Sequence, residues 1–403
     1  MEPFTLPQIQ VGIDVGSNEH HIAISRSDRH QVDQFSIQHS SVGFRQFFRK
    51  IKEARETDNL PVAIAMEGCN GWARPLDQAI IEHGYQLYNV NNLKLARFKE
   101  IFPGDAKTDA IDAGKILELF KLQTHLPVAK KVLQSVHPGP EVNRKLKLLT
   151  RRRRQLVEEK VTIMGRLTSS LQGVSPGLLS ITKNLDNLWF LHFLIARKDL
   201  RELVRMRLSS IMKIKKVGKH FAAQIQEWQK TAYFSPEVEW TNEMIHDDIH
   251  RILELLERIK RLNVEIDVLS CDSTLAQRIL SIPGFGRTCA AELAGEIGTM
   301  ERFASEASLA LYVGMTNLEN SSGKMVGSKK AKMVNRHAKQ ALMTAIARNI
   351  RFVEESRQYY DKKRNEGKRH NQAVRALGRH MVRVIWTMVK NDRDYRLKNA
   401  KSQ

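Results

Sequence analysis

The segment Pro61-Val62-Ala63-Ile64-Ala65-Met66 is apolar throughout and stops at Glu67. A strand with one wet face alternates, whereas a strand apolar at every position belongs in the middle of a sheet covered on both faces. This run therefore calls for α/β layers around it, and its neighbours supply them. Ile9, Val11 and Ile13 alternate with Gln8, Gln10 and Gly12 and lead to Asp14, the pattern of a half-buried strand. After the turn Val15-Gly16-Ser17-Asn18, the stretches His21 to Arg26 and Val32 to Gln38 read as the rest of an antiparallel meander. Ser40 or Ser41 can cap a helix with Phe44, Phe47, Phe48 and Ile51 on one face. Beyond Glu67, Gly68-Cys69-Asn70-Gly71 turns into a helix, and Tyr85 to Val90 is a further strand.

Three strands, a helix, then strand–helix–strand is the order of a ribonuclease H-like fold. Asp14 and Glu67 each close a strand, where an α/β sheet presents its chemistry. In the stretch Asp105 to Lys115, a helix would put Asp109 and Asp112 on one face. Asp105 shares that face, so spacing alone does not choose the pair. Carboxylates gathered in this way suit magnesium or manganese, which prefer oxygen ligands. Two such ions about 4 Å apart stabilise the attacking and leaving oxygens of phosphoryl transfer. Singly, an aspartate after a strand is more often a turn former or a helix cap than a ligand.

Charge narrows the partner. Lys and Arg number 65 against 44 Asp and Glu, a net charge of +21, which points to a polyanion and above all to nucleic acid. No apolar run reaches the roughly 18 residues of a membrane span. The start, Met1-Glu2-Pro3-Phe4, lacks the pattern of a signal peptide. Cys69, Cys271 and Cys289 form no CxxC pair, which fits a reducing cytoplasm.

Residues 126–272 read as a linker followed by a basic helical region. Leu149, Leu156 and Ile163 recur every seven residues, and so do Ile245, Ile252, Ile259 and Ile266, with Ile249 and Leu256 between and Asn263 on the seam. These are coiled-coil stripes, compatible with a hairpin inside one chain or with a dimer or tetramer. Arg151, Arg152, Arg153 and Arg154 interrupt the first stripe as either a solvated face or a phosphate contact. Residues 174–240 are less periodic, with a local core around Trp189, Phe190, Phe193 and Leu194.

In the C-terminal region, 273–403, Ile282-Pro283-Gly284-Phe285-Gly286-Arg287 resembles a helix–hairpin–helix turn, whose backbone N–H groups can bind phosphate. A plain tight turn explains it almost as well. Farther on, Ser321-Ser322-Gly323 is followed by Lys324, Lys329, Lys330, Lys332, Arg336 and Lys339. Alone, Ser-Ser-Gly is a flexible turn. Amid cations, a serine alkoxide and a neighbouring phosphate would both be stabilised.

Together these segments resemble the DEDD transposases of bacterial insertion sequences of the IS110 type, relatives of the pilin-gene invertase. The resemblance spans nearly the whole chain apart from parts of the middle. It rests on Gly12-Ile13-Asp14, Glu67-Gly68, Lys107-Thr108-Asp109-Ala110-Ile111-Asp112-Ala113, Ile282 to Gly286, Gly314-Met315-Thr316 and Ser322-Gly323, with Gln372-Ala373 and Arg379 in the closing helices. It implies a RuvC-like domain over 1–125, in which Asp14, Glu67, Asp109 and Asp112 bind Mg2+ or Mn2+, and it selects Asp109 over Asp105. It also implies Ser322 as nucleophile, a covalent serine–DNA linkage, and an active site shared between subunits. A structured RNA from the element would choose donor and target DNA in the bacterial cytoplasm, at the nucleoid. Residues 174–240 and the segment Ala331 to Arg336 depart from the family pattern. Two other readings stand beside this one: a metal-dependent nuclease or junction resolvase in which water attacks, and a non-catalytic nucleic-acid scaffold.

Overall fold

The computed structural model describes residues 8–29, 31–55, 59–68, 71–91, 95–96, 109–125, 132–323, 327–331 and 334–396. The chain divides into two compact units, Met1–Pro138 and Gly139–Gln403.

The first unit is built on a sheet. Its strands are β1 (Ile9–Val15), β2 (Glu19–Arg26), β3 (Val32–Gln38), β4 (Val62–Glu67), β5 (Gln86–Val90) and β6 (Leu133–Ser135). They lie in the order β3-β2-β1-β4-β5-β6. β1, β2 and β3 form the expected antiparallel meander, while β1, β4 and β5 run parallel, so β4 is central. The short antiparallel β6 was not foreseen. Three of its helices are α1 (Ser41–Arg55), α2 (Arg74–Glu82) and α3 (Asp109–His125).

The uniform apolar run of β4 conceals an alternation of size. Val62, Ile64 and Met66 join Ile9, Val11 and Ile13 in one core with Phe47, Ile51, Leu76 and Ile80 of α1 and α2. Ala63 and Ala65 join Ala23 on the opposite face, under Ala113, Ile116 and Leu117 of α3. Large side chains thus fill the space beneath two helices, and small ones let α3 lie close to the sheet. The approach is tightest at Gly12, where a Cβ would sit 2.4 Å from the Ala113 carbonyl oxygen and 2.8 Å from the Leu117 nitrogen.

The second unit is helical apart from one small hairpin. Two helices, α4 (Glu141–Val174) and α8 (Val238–Cys271), are 34 residues each. They run antiparallel: Arg153 bonds Asn263, Glu159 bonds Arg251 and Arg166 bonds Asp248. Leu156, Ile163 and Leu167 share one core with Ile245, Ile249, Ile252 and Ile259. Over this stretch the two heptad stripes therefore bury each other within the chain, and their ends at Leu149 and Ile266 pack in the C-terminal core, so no second subunit is needed to cover them. Between them lie α5 (Leu188–Leu194), α6 (Leu208–Ile211) and α7 (Lys219–Thr231). Through Trp189, Phe190, Phe193, Ile225 and Trp228, the segment 174–240 completes the same core.

The remaining elements are α9 (Thr274–Leu280), α10 (Arg287–Ile297), α11 (Glu306–Tyr312), β7 (Asn317–Glu319), β8 (Ser328–Lys330), α12 (Arg336–Asn349), α13 (Glu354–Asn365) and α14 (His370–Lys390). Residues 139–272 and 273–403 belong to one compact unit rather than two, because Leu146 of α4 and Ile266 of α8 lie in the C-terminal core.

The arginine run joins α4 to α10. Arg151 Nε and Nη2 donate to Glu296 at 2.6 and 2.9 Å, and Arg154 donates to Glu292 at 2.8 and 2.6 Å. Glu296 has no exposed surface. Beside it, a Cβ on Gly295 would fall 2.5 Å from the Lys147 nitrogen, so the two helices touch backbone to backbone. Burial by itself would raise the Glu296 pKa. Hydrogen bonds from Arg151 and Asn335, with the charges of Arg151 and Lys147, instead hold it below its ordinary 4.5.

Two outcomes follow for the full-length protein. Gly12→Val should lower stability by about 1–3 kcal/mol or more through overpacking, read as a lower urea midpoint. Arg151→Met should cost about 2 kcal/mol at pH 7, since it leaves a buried carboxylate short of partners while the pair it breaks is partly solvated on the arginine side. Because Glu296 titrates below its ordinary value when folded, the pair's contribution is complete above pH 4.5 and lost as pH falls through the folded value. The gap between wild type and Arg151→Met should therefore narrow in acid, and a gap that widens would contradict the assignment.

Candidate active site

Asp14 and Glu67 leave the sheet at one edge. Ile13 is the register partner of Met66 on the parallel strand, so the two carboxylates follow next on neighbouring strands. Strand alternation points both to the face that bears Gly12, Ala63 and Ala65, the face covered by α3. Asp112 lies one residue before Ala113, whose carbonyl rests on Gly12, so the helix arrives beside the same strand ends. Asp112 is buried, and Asp14 and Glu67 are half-buried. Asp109 opens α3, one turn before Asp112; its side chain and the whole of Asp105 lie outside the described residues. Among the described residues, no three His, Cys, Asp or Glu side chains stand close enough together to hold a metal ion. The backbone thus brings three expected positions to one edge.

Ser322 occupies the loop between β7 and β8, in the second unit, and is exposed, as is Ser321. Gly323 has φ +56°, a left-handed turn that favours glycine after the serine. Both ends of the hairpin are fastened to Glu296. On one side, the Tyr312 hydroxyl donates to the Glu296 carbonyl at 2.7 Å. On the other, Asn335 Nδ2 lies 2.7 Å from Glu296 Oε2 and 2.6 Å from the Tyr312 oxygen, and its backbone N–H donates to the Tyr312 carbonyl at 2.7 Å. Asn335 Oδ1 also accepts from the Ala338 N–H, capping α12. Of the expected cations, Lys329 and Lys330 project from β8 and Arg336 starts α12, all exposed. Lys324 and Lys332 lie outside the described residues.

Other expected phosphate contacts take a different form. Arg151 and Arg154 are spent on buried carboxylates and Arg153 on Asn263. Arg152 is exposed and bonds only weakly to Gln155, at 3.3 Å. Gly284 has φ +84°, and a Cβ there would meet Asn349 Cα at 2.6 Å. Asn349 Nδ2 donates to the Pro283 carbonyl. Packing against α12 accounts for this glycine. Gly286 precedes α10 as its cap, and Arg287 is largely exposed, 3.6 Å from Asp267.

Sequence reasoning missed Glu296 and Asn335. Asn335 carried a signal, an asparagine at a helix start. Glu296 carried a weaker one, a carboxylate in the alanine-rich stretch Ala290 to Ile297.

Comparison with known proteins gives matches in both units. A DEDD transposase profile of the IS110 type matches residues 11–176, which include Asp14, Glu67, Asp109 and Asp112. A second, described as "Transposase IS116/IS110/IS902 family", matches residues 276–361, which include Ser322. The 44.8 kDa protein of insertion element IS116 from Streptomyces clavuligerus is 25% identical over 393 residues, 96% of each chain. The 42 kDa protein of IS900 from Mycobacterium paratuberculosis is 24% identical over 96% of this chain and 97% of its own. The 43.6 kDa protein of IS110 from Streptomyces coelicolor is 25% identical over 96% and 95%. With one profile on the sheet unit and the whole of α4 and the other on the serine hairpin and its supports, the chain belongs to the IS110-type transposases.

Proposed function

We propose that this transposase is a DNA recombinase that cuts and rejoins strands through a covalent link to Ser322, with Asp14, Glu67, Asp109 and Asp112 as its metal-binding carboxylates. The observation that carries the reading is the pair of strand ends at Asp14 and Glu67, with Asp112 delivered beside them by the close approach at Gly12. The strand order β3-β2-β1-β4-β5 supports a ribonuclease H-like, RuvC-like sheet.

The donors are carboxylate oxygens, the chemistry that suits Mg2+ or Mn2+. When bound, such an ion would offset negative charge on the phosphoryl oxygens and the leaving oxygen. The protein's own groups do the rest. Ser322 Oγ attacks the phosphorus, and its proton passes through solvent to the departing ester oxygen. One ester oxygen leaves as a hydroxyl, and the strand is held as a serine phosphodiester. Attack by a hydroxyl of the second strand frees the serine and completes the join. The exposed hairpin lets Ser322 reach a duplex, and its anchors at Tyr312 and Asn335 limit the conformations it samples.

On this reading the carboxylates of one subunit act with the serine of another, in a homo-oligomer. An element-encoded structured RNA selects donor and target. The excess of 65 basic over 44 acidic residues and the lack of a base-reading motif support that partner. The reaction takes place in the bacterial cytoplasm, at the nucleoid; among the described residues, no helix is long and apolar enough to cross a membrane.

Ser322→Ala should abolish the protein–DNA adduct seen as a denaturation-resistant band and lower strand joining by at least about 10³-fold, the scale on which loss of a nucleophile acts. Cleavage that survives in Ser322→Ala would favour the water-attacking nuclease. Asp14→Asn and Asp112→Asn should lose joining in the same assay while still binding DNA. Chelation of divalent ions should silence the wild type, with activity restored by added magnesium. Full activity in both aspartate variants would end the metal assignment.

A further inference from the structure

Three cations from three elements gather at the base of the serine hairpin, two of them at Asn317. Lys330 on β8 is its register partner across the ladder. Arg375 on α14 reaches its Oδ1 with Nη1 at 3.5 Å. Lys339 on α12 lays its stem against Gly314, where a Cβ would come within 2.9 Å of Lys339 Cδ. The left-handed φ of +68° at Gly314 makes that fit possible without a side chain. Helix α14 is held in place here by Gly378, one turn after Arg375, where a Cβ would fall 2.5 Å from Met315 Sδ.

The arginines farther along α14 behave differently. Arg379 and Arg383 both pair with Glu306. Among the described residues, Arg375, Lys339 and Lys330 form no ion pair, although Arg375 and Lys339 are half-buried. Half-buried like charges without a counter-charge destabilise one another, and an anion placed among them would reverse that. Burial, together with the positive charge of Arg375 and Lys330, holds the Lys339 ammonium below its ordinary value.

We propose that Lys330, Lys339 and Arg375 form a binding site for a DNA backbone phosphate beside the Ser322 hairpin. The site rests on the reading of that hairpin as the DNA-cutting element, and it adds two residues, Lys339 and Arg375, that hold the strand rather than react with it. The bidentate guanidinium of Arg375 fixes the phosphate's orientation, and the two lysines supply charge.

The test is binding of a short fluorescent DNA duplex by full-length protein, followed as anisotropy across a salt series. Lys339→Met keeps the stem over Gly314, and Arg375→Gln keeps a donor to Asn317, so both should fold with unchanged melting. The double variant should bind at least about tenfold more weakly at low salt, with the slope of log affinity against log salt reduced by about 1 per charge removed. Ser322→Ala should bind as wild type does, and Lys230→Gln, a change remote in sequence to a lysine paired with Glu227, should as well. Wild-type affinity and slope in a well-folded double variant would overturn the site, as would a loss seen only with an RNA duplex. A double variant that loses DNA while Ser322→Ala still joins strands would keep the site and refute the serine mechanism.

Discussion

A carboxylate with no exposed surface must be compensated inside the protein, and Glu296 is such a group. Its partners come from far along the chain: Arg151 from α4, Asn335 from the start of α12, and the Tyr312 hydroxyl on its carbonyl from the end of α11. Apolar side chains could fill the same volume with as much stability. What the charge adds is direction, because hydrogen bonds at 2.6 to 2.9 Å are satisfied in one arrangement. The hairpin of the two 34-residue helices α4 and α8, the helices α10 to α12 and the loop that carries Ser322 are referred to that one group.

The sheet unit depends on a steric constraint instead. Helix α3 can deliver Asp112 to the strand ends only if its backbone lies almost on β1, and the absent side chain of Gly12 permits this. The small residues Ala23, Ala63 and Ala65 extend the same flat surface. The larger face, with Ile9, Val11, Ile13, Ile64 and Met66, provides most of the apolar burial under α1 and α2. One sheet thus separates its duties: one face holds it together and the other admits the helix that carries Asp112.

Much of this was legible in the residues. Alternation at Ile9, Val11 and Ile13 and the unbroken run at β4 identified strands correctly, because side-chain period is a local property of the backbone. The heptads of α8 were equally plain. Their partner was not, since an apolar stripe demands burial without saying against what. The arginines at 151 to 154 were ambiguous for a similar reason. A helical cation looks the same whether it meets a phosphate or a glutamate 138 or 145 residues away. Gly284 likewise reads as a phosphate-binding turn until the Asn349 backbone is found against it.

The sequence by itself determined the strands, the long helices, the basic charge and the family motifs around Asp14, Glu67, Asp112 and Ser322, all set by local periodicity, composition or contiguous residues. Only the tertiary structure decided which charges are neutralised within the protein and which face outward. It assigned Arg151 and Arg154 to Glu296 and Glu292, Arg379 and Arg383 to Glu306, and left Lys330, Lys339 and Arg375 without an ion pair among the described residues. The reason is physical: a charge's role depends on distances to groups remote in the chain, and those distances exist only once the chain has folded.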